Sequence, residues 1–157
     1  MKEVDISSEV IDEARTKAKD LGKVYRSITG GAGNLAGFIG ESLARSVYGG
    51  KVENTLKYDL VFPNGQRIDV KTKRTSVKPK MEYDCSVSDF QIEYDCDGYV
   101  FVRVLNDLTI GWVLGHISKE DFKKNSTYYK KGERDKSNGF LFRQSCYNIK
   151  ISELSVP

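Results

Sequence analysis

The spacing of hydrophobic and polar residues changes from helical to extended about one third of the way along the chain. In residues 10–21, apolar side chains recur every three or four positions, between a pair of serines and a glycine, which predicts a first helix. After a glycine-rich turn at 29–33, the same spacing over about residues 34–48 predicts a second helix, which two glycines end. The first third of the chain is therefore expected to be helical.

From residue 56 onward the apolar positions alternate with polar ones or form short unbroken runs. This pattern predicts strands at 56–62, 67–73, 82–87, 99–105 and 109–114. A short helix at 88–92, a third helix at 118–124 that begins at Ser118, a polar loop to Gly139 and a last strand at 146–151 complete the prediction. The order of elements indicates an α+β fold with a mixed central sheet flanked by helices.

The loop between the first two predicted strands determines which side chains meet. In the segment Pro63-Asn64-Gly65-Gln66, a three-residue loop with a left-handed Gly65 would pair Phe62 with Gln66. This register separates an apolar face, on which Tyr58 and Leu60 lie, from a polar face. A two-residue loop would instead mix charged with core positions.

The three-residue loop places Asp59 directly opposite Asp69, with Cβ atoms roughly 5 Å apart. Two facing carboxylates are destabilising unless one keeps a proton or a cation lies between them. Magnesium suits such a pair, because it prefers a few carboxylate oxygens together with water and phosphate. Lys71 follows Asp69 at the spacing that places both on one face.

Composition narrows the classes of protein to an ordinary globular domain. The 157 residues contain 39% hydrophobic and 30% charged residues and only three prolines, so one domain over residues 1–157 is expected. No apolar run approaches the roughly 18 residues of a membrane span, and residues 1–12 do not resemble a secretory signal. We therefore expect no membrane partner and a cytoplasmic (intracellular) location.

Positive charge is concentrated in two segments, although the formal net charge is only +3. Residues 71–80 contain five basic residues and no acid, and residues 119–136 contain seven basic and four acidic residues. Such runs are often just solvated, but two in one domain favour an anionic partner. The candidate nucleic-acid contacts are Lys73, Arg74, Lys78, Lys80, Lys130 and Lys131.

These residues together resemble the PD-(D/E)XK nuclease superfamily of restriction endonucleases, Holliday-junction resolvases and phage-type exonucleases. The resemblance rests on Gly40-Glu41 in the second helix, on Tyr58-Asp59 and on Asp69-Val70-Lys71. It covers about residues 34–115 in an αβββαβ order, with a helix and a strand added over 116–157. Tyr58 replaces the proline of the motif, and Asp69 replaces the more frequent glutamate.

The resemblance implies a restriction-endonuclease-like core and a magnesium-dependent deoxyribonuclease acting as an endonuclease, with manganese as a substitute metal. It implies that Asp59, Asp69 and the Val70 carbonyl bind the metal and that Lys71 orients or activates water. Glu41 is implied to assist the metal or its waters, and Gln91 resembles a glutamine found in some branches. A homodimer would suit double-strand cutting or junction resolution, and only this analogy suggests one.

Other interpretations of the same residues remain open. The chain could be a catalytically inactive nucleic-acid-binding module with the same fold, or a protein-interaction module, and Glu41 could be an ordinary surface glutamate. The segment from Gly31 to Ala36 fits a loose dinucleotide pattern, but alternating parallel strands and helices do not follow it. The cysteines are expected to be reduced, with a zinc site less favoured; the candidate zinc ligands are Cys85, Cys96, Cys146 and His116.

Overall fold

A computed structural model describes residues 1–21, 34–53, 55–136 and 138–157. The predicted glycine-rich turn at 29–33, and with it the start of the dinucleotide-like segment, lies outside these ranges.

The predicted helices are confirmed in the described residues. They are α1 (Ser8–Leu21), α2 (Asn34–Tyr48) and α3 (Lys119–Asn125), and a short 3-10 helix at Asp89–Gln91 occupies the position of the predicted short helix. Helix α3 begins where the sequence indicates, because the Ser118 hydroxyl accepts a hydrogen bond from the Asp121 N–H at 3.0 Å.

In chain order, the described strands are β1 (Lys2–Asp5), β2 (Lys51–Val52), β3 (Leu60–Val61), β4 (Arg67–Thr75), β5 (Asp84–Ser88), β6 (Gly98–Leu105), β7 (Ile110–Ser118), β8 (Thr127–Tyr129) and β9 (Cys146–Lys150). Within this part of the chain, six of them form a central sheet in the order β1-β7-β6-β4-β3-β2. Strands β4 and β6 are parallel, and the other neighbours are antiparallel. The predicted α+β class with a mixed sheet flanked by helices is therefore confirmed.

A second sheet, in which the described strands run in the order β5-β9-β8, differs from the prediction. The sequence suggested that β5 would continue a meander from β4, but β5 pairs with β9 near the C-terminus. Strands β1, β2 and β8 were not predicted, because each is short and carries too few alternating positions to give a periodic signal.

The central sheet separates two hydrophobic cores in the described structure. Helices α1 and α2 cover one face, where Ile39 and Leu43 pack against Leu60, Val70 and Val102. On the other face, α3 and the second sheet pack against the central strands; this core includes Tyr99, Phe101, Phe122, Val87 and Ile149. Strand β4 therefore has a helix-covered face and a face toward the second sheet.

Among the helices that the structure describes, none has both the length and the apolar character needed to cross a lipid bilayer.

Candidate active site

The hairpin between β3 and β4 has the register that the sequence predicts. Leu60 pairs with Ile68, and the Phe62 N–H donates to the Gln66 carbonyl oxygen at 2.9 Å. Gly65 has a φ of 86°, the left-handed conformation that the three-residue loop requires there. The predicted loop is confirmed.

Asp59 lies just beyond the end of the β3–β4 pairing and bonds to β4 in two ways. Its N–H donates to the Ile68 carbonyl oxygen at 2.9 Å, and its Oδ2 accepts a hydrogen bond from the Val70 N–H at 2.7 Å. The side chain thus satisfies a backbone donor that a longer partner strand would have satisfied with a carbonyl. For this reason the predicted strand over residues 56–62 is reduced to Leu60–Val61.

The prediction that Tyr58 shares a face with Leu60 is wrong. Tyr58 packs against the core on the opposite side of the sheet, with the Arg67 guanidinium 6.0 Å from its ring centroid. Strand alternation holds only while the pairing is regular, and the pairing ends between these two residues.

The carboxyl groups of Asp59 and Asp69 are close enough to share a hydrogen bond. Burial and the negative charge of Asp69 together raise the pKa of Asp59 to about 7, although the Val70 N–H and the Lys71 ammonium oppose the rise. The two acids that the hairpin register was expected to bring together therefore meet, and this proximity disfavours the charged form of Asp59.

Lys71 is the counter-charge of this pair. Its Nζ lies 2.7 Å from Asp69 Oδ2, and both side chains are largely buried. The contact is an ion pair without the direction of a hydrogen bond, so Asp69 Oδ2 is a buried oxygen that lacks a hydrogen-bond donor within the described structure. One ammonium thus faces two carboxyl groups.

Glu41 adds a third carboxyl group from the helix side. It is buried, with 9% of its surface exposed, and its Oε2 has no hydrogen-bond partner among the described residues. Burial, followed by the charge of Asp59, raises its pKa to about 8, while Lys17 opposes this rise. Because Glu41 is buried, the alternative of an ordinary surface glutamate is wrong.

Helix α2 can approach β4 closely because residue 40 is a glycine. A Cβ atom built on Gly40 would lie 1.8 Å from the Thr72 Oγ1, whereas Gly37, one turn earlier, has no heavy atom within 4 Å of that position. The close contact between Gly40 and Thr72 therefore determines how near the neighbouring Glu41 comes to strand β4.

The arrangement has the chemistry of a divalent-cation site, although in the described ranges no three His, Cys, Asp or Glu side chains are close enough to form a complete ligand set. Magnesium commonly uses only one or two protein carboxylates and completes its shell with water and phosphate. Asp59 and Asp69 would provide that pair, and Glu41 Oε2, which has no hydrogen-bond partner among the described residues, could bond to the ion or its waters. The donors present therefore fit magnesium.

A cleft of about 1110 Å³ begins beside this site, where Lys71 lines it, whereas Glu41, Asp59 and Asp69 are not part of its lining. Its floor is formed by β4 and β6, and its walls by β5, β9 and the loop before β9. Lys71 lines the cleft as well as contacting Asp69, so it connects the acidic site to the open space. Gln91 also lines the cleft.

The predicted nucleic-acid contacts are distributed differently from the expectation. Lys73 lines the cleft, and Lys80, Lys130 and Lys131 are exposed outside its lining. Two others have partners within the chain: Lys78 pairs with Glu3 at 2.8 Å, and Arg74 donates to the Asn106 carbonyl oxygen at 2.6 Å.

Sequence reasoning missed the other cations of the cleft, which are Arg103, Arg143 and Lys150. Arg103 had a recognisable signal, because it interrupts an otherwise apolar run in the most buried strand. Arg143 and Lys150 had none, since they reach the cleft only through the pairing of β5 with β9.

Comparison of the sequence with protein-family models and with curated proteins finds no match. The resemblance to a nuclease superfamily therefore stays a prediction.

Proposed function

We propose that this protein is a magnesium-dependent deoxyribonuclease that hydrolyses internal phosphodiester bonds of DNA. The observation that carries the proposal is the Asp59–Asp69 carboxyl pair with the Lys71 ammonium 2.7 Å from Asp69. The resemblance to the PD-(D/E)XK superfamily, in which the same positions would be catalytic, supports it.

The acidic cluster is poorly stabilised by the protein alone. The carboxyl groups of Glu41 and Asp69, which are buried, and of Asp59, which is half-buried, lie close enough to raise the pKa values of Glu41 and Asp59, and Lys17 and Lys71 only partly oppose this effect. Without a bound cation, the folded protein would be more stable if uncharged side chains stood at these three positions. A bound cation would offset the repulsion. A cluster of this kind is typical of a site built for a ligand.

Magnesium held by Asp59, Asp69 and the Val70 carbonyl would lower the pKa of an attacking water and offset the charge that develops on phosphate. Because burial and the charge of Asp69 raise the pKa of Asp59, both carboxylates would ligate a metal more readily once Asp59 is ionised. Glu41, with its unpartnered Oε2, would hold a water in place by accepting its hydrogen. Manganese should substitute, because it also accepts carboxylate and water ligands.

Lys71 has two roles in this mechanism. Its ammonium lies between Asp69 and the open cleft, where it can donate to a water and to a phosphate oxygen of the substrate. The positive charge is largely withdrawn from bulk water, so it stabilises an anionic transition state more strongly than a surface lysine would.

Nicking of circular DNA tests the proposal. Supercoiled plasmid and circular single-stranded DNA would be incubated with the parent protein in Mg²⁺, in Mn²⁺ and in EDTA, because only an endonuclease can open a circle. We expect cleavage with either metal and none in EDTA. Asp69→Ala and Lys71→Ala should both abolish it while folding, checked by circular dichroism, is retained.

Lys57→Ala is the matched control, because this exposed lysine lies on the same hairpin outside the acidic cluster. It should cut at the parental rate. If Asp69→Ala or Lys71→Ala cuts as fast as the parent, the active-site assignment is wrong. DNA binding by a parent protein that cuts under none of these conditions would instead favour the inactive nucleic-acid-binding module.

A further inference from the structure

Two cationic side chains occupy the middle of the cleft without an acidic partner. Arg103 in β6 stands beside Lys73 in β4 in the parallel register, and both line the cleft. Arg103 is 9% exposed, and its Nη2 donates to the Asp84 carbonyl oxygen at 2.7 Å. In the part of the chain that the structure describes, no carboxylate lies within ion-pair distance of either side chain.

Apart from this bond to the Asp84 carbonyl oxygen, no described group accepts a hydrogen bond from the Arg103 guanidinium, and none of its nitrogens is a buried atom without a partner, so its remaining donors are available to a ligand in the cleft. The nearest acid, Asp84, is already paired through Oδ1 with Lys150 at 2.8 Å. The planar fork of Arg103 and the point charge of Lys73 together suit the oxygens of a phosphate group. The pair therefore indicates an anion subsite in the cleft.

The subsite lies next to the acidic site along the same strand. Lys71 and Lys73 are two residues apart in β4, so they project on one face about 6.6 Å apart. A phosphate held by Lys73 and Arg103 would thus adjoin the phosphate held at Lys71, as successive phosphates do in a nucleic-acid strand.

An aromatic side chain stands in the wall of the same cleft. Phe140 lines it and keeps 55% of its surface exposed. Its ring packs edge-on against Phe142, with centroids 5.3 Å apart, and Phe142 is stacked on Tyr129 at 4.3 Å. A large exposed ring, supported from behind by packed aromatics and placed near cations, is the arrangement on which unpaired bases stack.

The size of the cleft also favours a strand over a duplex. A volume of about 1110 Å³ is close to the upper end of small-molecule sites, at roughly 1,000 Å³, so it can hold only a few nucleotides.

We propose that the cleft binds single-stranded DNA, with Lys73 and Arg103 holding the phosphate next to the one that is cut and Phe140 stacking on an unpaired base. The inference rests on the proposed nuclease function and makes DNA with an unpaired strand its preferred substrate.

Binding without cleavage tests the subsite separately from catalysis. The probe is a fluorescein-labelled ten-nucleotide oligodeoxythymidine, and its anisotropy would be measured with the full chain in EDTA at several salt concentrations. Lys73→Gln should weaken binding and reduce the slope of log affinity against log salt by about 0.7, as loss of one phosphate contact predicts for a single strand.

Phe140 and Arg103 need variants that separate contact from folding. Phe140→Leu should weaken binding at least about five-fold, and Phe140→Trp should restore it, because stacking requires an aromatic face. If Arg103→Gln fails to fold, Arg103→Lys replaces it, because lysine keeps the positive charge. Arg103→Lys should still bind the oligonucleotide more weakly than the parent, because the bidentate fork is lost.

Lys124→Gln and Tyr128→Leu are matched controls, because these exposed side chains lie outside the cleft lining. Both should bind like the parent. The subsite is wrong if Lys73→Gln and Phe140→Leu bind the probe as the parent does, or if a blunt ten-base-pair duplex binds as tightly as the single strand.

The two proposals can fail separately. Unchanged binding by these variants, together with metal-dependent cutting that Asp69→Ala abolishes, would remove the subsite and keep the nuclease. Weakened binding by the variants of a parent that never cuts DNA would keep the single-strand subsite and remove the nuclease.

Discussion

Strand β4 contributes to two regions of opposite charge. In each region the charges of the neighbouring side chains do not fully cancel. At its start, Asp69 meets Asp59 and Glu41, whose carboxyl groups oppose one another and are faced by Lys71. Further along, Lys73 stands beside Arg103 with no paired carboxylate among the described residues. One strand therefore presents an excess of acid and then an excess of base.

Both regions contain like charges that repel one another, but the repulsion is relieved differently in each. In the acidic region a proton relieves the repulsion, because burial and neighbouring charge raise the pKa of Asp59 to about 7 and of Glu41 to about 8. In the cationic region burial lowers the pKa of Arg103, and partial loss of solvation in the cleft, together with the charge of Arg103, lowers the pKa of the otherwise exposed Lys73. Guanidinium does not lose its proton in proteins. Under the two proposals, a metal ion would replace the proton in the first region, and a phosphate would bind the cations of the second.

Replacing Asp59 by asparagine should separate function from stability in the acidic region. Asp59→Asn keeps an oxygen that can accept from the Val70 N–H but removes a charge. We expect cleavage to fall by about 10²–10³-fold, while the melting temperature in EDTA at pH 8 rises. Plasmid nicking and thermal unfolding measure the two effects. If the variant unfolds at a lower temperature than the parent at pH 8, the charge of Asp59 does not destabilise the metal-free protein.

The metal-free protein should lose stability as the pH rises from about 4 to about 8. The pKa values of Asp59 and Glu41 are raised from ordinary values of 3.8 and 4.5, so the folded state holds protons that the unfolded state releases. This contribution is complete below the ordinary pKa and is lost as the pH passes the folded value.

Melting temperatures between pH 5 and pH 9 in EDTA would show the trend, and Glu41→Gln should flatten it. Calorimetric titration should find tighter Mn²⁺ binding at pH 8 than at pH 6, since Asp59 must first be deprotonated. Equal affinity at both pH values would exclude Asp59 as a ligand that has to lose a proton.

Alanine substitutions at Gly37 and Gly40 of α2 test whether the close approach of α2 to β4 matters for the acidic region and not for the cationic region. Gly40→Ala must push α2 away from Thr72, and we expect it to cost about 1–3 kcal/mol of unfolding free energy and to slow cleavage. Gly37→Ala meets no atom and should stabilise the helix by about 0.5–1 kcal/mol. Denaturant unfolding measures both effects. Oligonucleotide binding in EDTA should be unchanged in either variant, because the cationic region lies on the other face of the sheet.

The smallest expected effect is that of Lys73→Gln on stability. Removing this charge relieves repulsion from Arg103, but its exposure to water screens the interaction. We expect the unfolding free energy to rise by no more than about 0.5 kcal/mol in denaturant titrations. A loss of several kcal/mol would mean that Lys73 has a structural partner and that the cationic region is not built for a ligand.

Local signals predicted much of the acidic region. The loop chemistry of Pro63-Asn64-Gly65 was enough to set the register that brings Asp59 to Asp69. Helical spacing left open whether Glu41 is buried or exposed, and the structure shows that it is buried. The prediction failed at Tyr58, one residue before Asp59, because alternation depends on backbone pairing that stops there.

The cationic region was hardly predictable. Arg103 is adjacent to Lys73 only because β4 and β6 run parallel, and Phe140 approaches them only because β9 returns to β5.

By itself, the sequence determined the helices, the class of fold and the hairpin that joins two acids, because these follow from periodicity and turn geometry over a few neighbouring residues. Only the tertiary structure decided where the second sheet lies, how the cleft is formed and which cations line it. The physical reason is that pairing between distant strands depends on the shared burial of many side chains, and no short segment encodes it.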